Sequence, residues 1–229
     1  MKNVRGLFIT GTDTDVGKTY VTALIARRLA AAGHRVGVYK PVASGCRREG
    51  GRLVSDDAAA LWEAAGRPGE LERVSPQCFE AALAPHLAAR AEGREVDPDL
   101  LRSGIAYWRE RSDIVLVEGA GGLFSPVSDG DLVADLASDF GHPLLVVARN
   151  ALGTINHTLL TLRAAATFEP RLAVAGLILN DVGAFGTDQS VQTNHAELSA
   201  RTNVPLLAHV GWQETNIGPA VDWFALARS

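Results

Sequence analysis

The stretch Gly11-Thr12-Asp13-Thr14-Asp15-Val16-Gly17-Lys18-Thr19 decides the fold. It follows the short apolar run at 7–10 and leads at once into Tyr20-Val21-Thr22-Ala23-Leu24, which has helical period, so the context is strand, glycine-rich loop, helix. A loop of this kind turns successive backbone N–H groups inward around phosphate oxygens, and the helix behind it adds a partial positive charge. Lys18 then reaches the terminal phosphates of a nucleotide, and Thr19 offers a hydroxyl to a magnesium ion. The usual motif has four residues between its first Gly and the Gly-Lys pair. Here the five residues Thr12, Asp13, Thr14, Asp15 and Val16 intervene, a variant with a longer turn. The dinucleotide spacing Gly-x-Gly-x-x-Gly is absent and a lysine is aimed at phosphate instead, which disfavours a dinucleotide fold.

Outward from this loop, apolar β-branched runs at 7–10, 35–39, 114–118, 144–148, 173–179 and 206–210 alternate with stretches of helical period at 18–32, 56–65, 99–111, 132–140, 154–167 and 190–202. The alternation predicts an α/β fold, doubly wound, with a mainly parallel sheet covered by helices on both faces. The strands are apolar nearly throughout, as strands buried on both faces must be. Segments 43–53, 66–85 and 181–188 read as irregular. No repeat or low-complexity linker divides the chain, so residues 1–229 read as one domain.

The composition is that of a soluble protein: 47% hydrophobic residues and a formal net charge of -4 over 229 residues. Such a balance offers no broad positive field to nucleic acid, and Arg47, Arg48 and Arg52 sit in a Gly-containing stretch that reads as a solvated loop. Cys46 and Cys78 stand far apart in the chain with no further Cys or His at metal-ligand spacing, and read as ordinary free thiols. No apolar run is long enough for a membrane span, and the N-terminal one is too short for a signal-peptide core, so a cytoplasmic location is expected.

In an open parallel sheet, ligands bind beyond the carboxyl ends of the strands. Glu118 ends the run Ile114-Val115-Leu116-Val117 and precedes Gly119-Ala120-Gly121-Gly122, which suits a magnesium ligand better than the alternative, a solvated strand-end acid. Asp56 and Asp57 follow Ser55 at a helix start, where capping and the helix dipole account for acids without any metal. Lys40 comes directly after the second strand. Alone it could be a surface lysine, or a fixed positive charge facing a transferring phosphoryl group. Spacing leaves these alternatives open.

Read together, Gly11-Thr12-Asp13-Thr14-x-Val16-Gly17-Lys18-Thr19, Lys40-Pro41-Val42-Ala43-Ser44-Gly45, Glu118-Gly119-Ala120-Gly121-Gly122 and Leu152-Gly153-x-Ile155-Asn156-His157 resemble the dethiobiotin synthetase family in order and spacing. The resemblance runs from about Leu7 to Trp212, and the five-residue loop variant is typical of that family. It implies a P-loop NTPase fold and an ATP-dependent ligase. Such an enzyme carboxylates 7,8-diaminononanoate with CO2 and closes it to dethiobiotin, through a carbamate and a carbamic-phosphoric anhydride, at the penultimate step of biotin biosynthesis. Position by position, the resemblance implies that Thr19, Asp57 and Glu118 hold Mg2+. It implies that Asp15, Val16, Gly17, Lys18 and Thr19 cradle ATP, with Gly119, Ala120 and Gly121 beside them. Lys40, Lys18 and Thr14 are implied to be catalytic, with Ser44 and Asp15 contacting the diamine or its carbamate. Asn180 and Asp181 would read the adenine edge, and Gly211, Trp212 and Gln213 would line the base pocket. The N–H groups of Gly153, Thr154, Ile155 and Asn156 would receive the substrate's distal carboxylate, which is what a helix start offers an anion. In the family that end is held by a partner subunit, so a homodimer is implied.

The chain departs from the family pattern in having Asp15 where Glu is common, Gly211 where Pro is usual, the triplet Arg149-Asn150-Ala151, and a tail from Glu214 to Ser229 that aligns poorly. One rival is an amidase of the cobyric acid type, which needs a glutaminase domain for which the chain has no room. Another is a partitioning ATPase, which has a second lysine early in the loop, where this chain has Thr12-Asp13-Thr14. His157 reads as packing or capping near its helix rather than as a base.

Overall fold

The computed structural model describes residues 4–183, 188–218 and 220–227. Its elements in chain order are β1 (Arg5–Gly11), α1 (Lys18–Ala31), β2 (Val36–Tyr39), β3 (Val42–Ala43), β4 (Arg47–Glu49), β5 (Arg52–Val54), α2 (Asp56–Ala64), β6 (Gln77–Cys78) and α3 (Pro85–Ala91). There follow α4 (Pro98–Ser103), α5 (Ile105–Arg111), β7 (Ile114–Gly122), α6 (Val133–Phe140), β8 (Leu144–Arg149), α7 (Thr154–Thr167), β9 (Val174–Asn180), α8 (Asn194–Arg201), β10 (Leu206–Val210) and α9 (Trp223–Leu226). The strands expected from the sequence form one sheet in the order β10-β9-β8-β1-β7-β2, parallel at every pairing. β1 therefore lies in the interior, buried from Gly6 to Gly11, and its carboxyl end opens into the crevice where the chain order reverses. The core is continuous across both faces of the sheet, with Leu7, Phe8, Ile9, Leu116, Val117, Leu145 and Val146 fully buried.

Register explains much of what meets at that crevice. Ile9 lies opposite Glu118 in the β1–β7 pair, and Tyr39 lies opposite Val117 in the β2–β7 pair. The next residue of each strand in that second pair is Lys40 and Glu118, so the sheet itself sets this lysine beside this carboxylate.

Several expectations need correction. The helix expected over 99–111 is two, α4 and α5, broken at Gly104. The Tyr39 hydroxyl donates to the carbonyls of Leu100 and Leu101 at 3.0 and 2.9 Å, and a Cβ on Gly104 would lie 2.4 Å from that oxygen. The helix expected over 190–202 begins as a 3-10 turn, Gln189–Gln192, before α8, and β7 continues past Glu118 to Gly122 by pairing Gly122 with Gly11. The segment read as irregular at 43–53 contains β3 and a hairpin of β4 with β5, turned by Gly50-Gly51, both at positive φ. That at 66–85 contains β6, paired with β3, and ends at Pro85, the first residue of α3. Of the one at 181–188, residues 184–187 lie outside the described residues. The poorly aligning tail, described here at 214–218 and 220–227, carries α9, whose Trp223 is buried in the core. Arg47, Arg48 and Arg52 are each paired with an acid, Glu49 and Asp56, Glu80, and Glu72 respectively. No helix among the described residues is long and apolar enough to cross a membrane.

Candidate active site

The loop between β1 and α1 folds into a tight nest. Gly17 caps α1 at φ 89°, and a Cβ there would lie 2.0 Å from the Asn180 side-chain nitrogen, so both conformation and space demand glycine. Asp15 also sits at positive φ, 56°, a conformation that the short polar Asp side chain tolerates better than most. Lys18 is buried and bends back so that its ammonium donates to the Asp13 carbonyl at 3.0 Å. Burial lowers its pKa below the ordinary lysine value, against the opposing pull of Glu118.

Beside the nest stands a compact charge cluster. Lys40, only 5% exposed, donates to Glu118 Oε1 at 2.6 Å and lies 2.9 Å from Asp57 Oδ2. The Thr19 hydroxyl donates to the same Glu118 oxygen at 2.8 Å. Burial alone would lower the Lys40 pKa, but Glu118 and Asp57 overcome it and hold the ammonium above its usual range. Burial likewise pushes Asp57 up, yet Lys40, and then the Thr19 hydroxyl, hold it below the ordinary carboxylate value. Asp57 belongs to the first turn of α2, capped by Ser55, whose Oγ accepts from the Ala58 N–H at 3.2 Å. The capping reading and the site reading of this segment therefore both hold: Ser55 starts the helix and Asp57 projects toward Lys40.

These groups surround a cavity of about 740 Å3. Of the residues singled out in the sequence, Thr14, Asp15, Gly17, Lys18, Thr19, Lys40, Ser44, Asp57, Ala120 and Gly121 line it. Glu118 is fully buried behind the wall, joining Thr19 to Lys40. Gly119 packs where a Cβ would meet Val133 at 2.7 Å, and Gly121, at φ 77°, lets the strand end turn away. The opposite wall, Ala82 to Pro85 with Ser125 and Pro126, was not anticipated. Pro85, which opens α3, was its one available signal.

Other candidates stand apart from this cavity. Gly153, Thr154, Ile155 and Asn156 open α7 on the far side of the loop, where Thr154 lines a separate cavity of about 310 Å3 with Thr12, Asp13, Thr14 and Arg149. The Thr154 hydroxyl is buried there without a hydrogen-bond partner among the described residues. His157 is exposed at the same cavity, in the first turn of α7. Asn180, buried, donates its side-chain amide to the Val16 carbonyl at 3.0 Å, so it braces the loop, while its own side-chain oxygen has no partner among the described residues. Asp181 is bound within the protein: Asn150 donates to it at 2.8 Å, and His209 Nε2 lies 3.0 Å away. The Gly211 N–H, which a proline would lack, donates to Glu214 at 2.7 Å; Trp212 and Gln213 are exposed. Neither this strand end nor α7 lines the main cavity.

Known proteins give the arrangement a family. A model described as an AAA domain matches residues 5–220. Among solved structures, the signal recognition particle receptor FtsY of Elizabethkingia anophelis, in complex with GDP, superposes with a TM-score of 0.52 at 16% identity, over 99% of this chain and 63% of that one. A ParA family ATPase of Chlorobium tepidum does so with a TM-score of 0.53 at 14% identity, over 93% and 86%. At such identities these likenesses speak for the fold alone. The sequence relatives go further. ATP-dependent dethiobiotin synthetases of Rhodopirellula baltica, Anaeromyxobacter dehalogenans and Anoxybacillus flavithermus are 48%, 44% and 38% identical. The alignments cover 89%, 92% and 90% of this chain and 82%, 91% and 91% of those proteins. With identities of this size over nearly the whole length of both partners, this chain belongs to the ATP-dependent dethiobiotin synthetase family.

Proposed function

We propose that this protein closes the ureido ring of dethiobiotin, using ATP to activate the carbamate that CO2 forms on one amine of 7,8-diaminononanoate. The observation that carries the reading is the cluster of Lys40, Glu118, Asp57 and Thr19 on the cavity that Lys18 and Ser44 line. A carbamate oxygen attacks the γ-phosphorus of ATP and ADP leaves. The second amine then attacks the carbamic-phosphoric anhydride, the ring closes, and phosphate departs. Because phosphoryl transfer needs little covalent help, the protein's part is positioning and charge. Lys18 exchanges its Asp13 carbonyl for phosphate oxygens, and Thr14 adds a hydroxyl at the cavity wall. Lys40, kept charged by its two acids, faces the carbamate and the transferring group, while Ser44 and Asp15 orient the diamine. The ion set fits as well: two carboxylates and a hydroxyl converge, and Glu118 Oε2 is buried with no hydrogen-bond partner among the described residues. Thr19, Asp57 and Glu118 would hold Mg2+, which when bound neutralises charge on the phosphate oxygens. Asn180 keeps an oxygen free for the exocyclic amine of adenine, beside the strap at Gly211, Trp212 and Gln213, with Asp181 fixing that strand end.

The test is phosphate release from Mg2+-ATP and bicarbonate with and without the diamine, with dethiobiotin followed by mass spectrometry. Phosphate and cyclic urea formed in step are expected. Phosphate release indifferent to the diamine, with no urea, would replace this reading with a partitioning ATPase.

The reading includes a homodimer, in a cytoplasmic enzyme acting as one domain. α7 opens outside the main cavity, so in this reading its helix start would receive the carboxylate of a substrate held in a second copy's cavity. Apolar side chains exposed around it support this: Leu152 at 85%, Leu160 at 60% and Phe124 at 52%. Leu152→Asp is expected to shift sedimentation from dimer to monomer and to raise KM for the diamine at least tenfold while ADP affinity stays unchanged. A dimer that survives the substitution with KM unmoved would count against this interface.

A further inference from the structure

Cys46 and Cys78, distant in sequence, are neighbours in space. β3 pairs in parallel with β6 so that Ala43 lies opposite Cys78. The ladder continues beyond them: Phe79 N–H donates to the Ala43 carbonyl and Cys46 N–H donates to the Phe79 carbonyl, each at 2.9 Å. This ladder sets the two thiol-bearing segments side by side, and both thiols are free: Cys46 Sγ donates to the Ala43 carbonyl at 3.6 Å and Cys78 Sγ to the Ser75 carbonyl at 3.5 Å. Their settings differ. Cys46 is buried and Cys78 is partly exposed. Cys46, helped by Ser75, lowers the Cys78 pKa, whereas Cys78 and burial raise that of Cys46. An accessible, more acidic thiol thus has a shielded one poised behind it.

Both segments joined at this pair continue into the cavity. Ala43 and Ser44 precede Cys46, while Ala82, Leu83, Ala84 and Pro85 follow Cys78, and all six line the cavity. Gly45 N–H donates to the Ala81 carbonyl at 3.0 Å, which ties the two walls together.

We propose that Cys46 and Cys78 form a reversible intramolecular disulfide by exchange with a low-molecular-weight disulfide, and that this oxidation displaces the Ser44 wall of the cavity. The Cys78 thiolate attacks one sulfur of the small disulfide, forming a mixed disulfide and expelling a thiolate that takes up the proton Cys78 released. Cys46 then loses its proton and attacks the Cys78 sulfur, and the second small thiolate leaves with that proton. Two protein thiols are oxidised and one disulfide is reduced to two thiols. A disulfide holds its two β-carbons within about 3.5–4.5 Å of each other, so whatever approach the bond demands is passed along the joined segments toward Ser44. A shift of about 1 Å beside reacting groups can cost up to about 100-fold in rate.

The experiment treats the full chain with oxidised glutathione and reads mass, alkylatable thiols and turnover. The expected result is a single Cys46–Cys78 bond, a mass lower by two hydrogens, and a turnover loss of about tenfold restored by dithiothreitol. Cys46→Ser should instead hold a stable glutathione adduct on Cys78, and Cys78→Ser should be unresponsive; each variant should keep its basal activity. If both thiols remain alkylatable, or the bond forms only between chains, the proposal is overturned. A Cys46–Cys78 bond with unchanged turnover overturns the switch. The loss of activity rests on the proposed reaction, but the bond is read by mass, so failure of that reaction and failure of the dithiol are told apart.

Discussion

Replacing Lys40 by alanine is expected to lower kcat/KM about 10²–10³-fold, the usual cost of removing a fixed charge from a developing transition state, while ADP still binds within a few fold. The separation follows from position. Lys18 sits inside the nest, whereas Lys40 follows β2 and is held beside the nest by Glu118 and Asp57. Calorimetry with ADP and steady-state rates read the two effects independently; an equal loss in both would make Lys40 a nucleotide ligand instead. The substitution also strips a fully buried Glu118 of its cation, and breaking such a pair costs about 3–5 kcal/mol, which should appear as a lower Tm of the metal-free protein. The companion variant Glu118→Gln tests the electrostatics from the other side. A lysine whose pKa is raised on folding contributes stability that is complete below its unfolded value, about 10.4, and is lost as pH rises through the folded value. Glu118→Gln leaves burial opposed by Asp57 alone, so in metal-free unfolding scans the alkaline loss of stability should begin at lower pH than in the wild type. Coincident alkaline limbs would mean that Glu118 does not hold the Lys40 charge.

Gly17→Ala is expected to weaken ADP binding by about 100-fold or more. The added methyl must adopt φ near 89°, which costs about 1–2 kcal/mol, and it arrives 2.0 Å from the Asn180 amide that braces the Val16 carbonyl. Relief comes only by moving a buried side chain or by opening the nest. Gly33→Ala supplies the control, because Gly33 has the same φ of 89° but nothing within 4 Å of an added Cβ. Gly33→Ala should lower stability modestly and leave ADP affinity intact. Equal affinity losses in the two variants would locate the effect in general strain rather than in the loop.

The sheet was legible in the residues of its strands. Runs such as Ile114-Val115-Leu116-Val117 are apolar on both faces, and only a parallel strand covered on both sides accommodates that. The loop from Gly11 to Thr19 was equally plain, because backbone N–H groups converge on an anion only where Gly and a helix start permit it. Less was visible where structure depends on distant contacts. Asp99 to Arg111 carries an unbroken helical period, and it takes the Tyr39 hydroxyl from another layer to break it at Gly104. The segments at 43–53 and 66–85 have little periodicity of their own, since β3 and β6 are two residues each and exist through one another.

The sequence by itself determined the nucleotide loop, the parallel sheet and the family, because each rests on residue types at short, fixed spacings that local geometry translates directly. Tertiary structure alone decided the meeting of Lys40 with Glu118, the projection of Asp57 from the first turn of α2 toward that pair, the bracing of the loop by Asn180 and the pairing of the segments that carry Cys46 and Cys78. These depend on strand order and register, and a pattern of local preferences carries no information about which strand lies beside which.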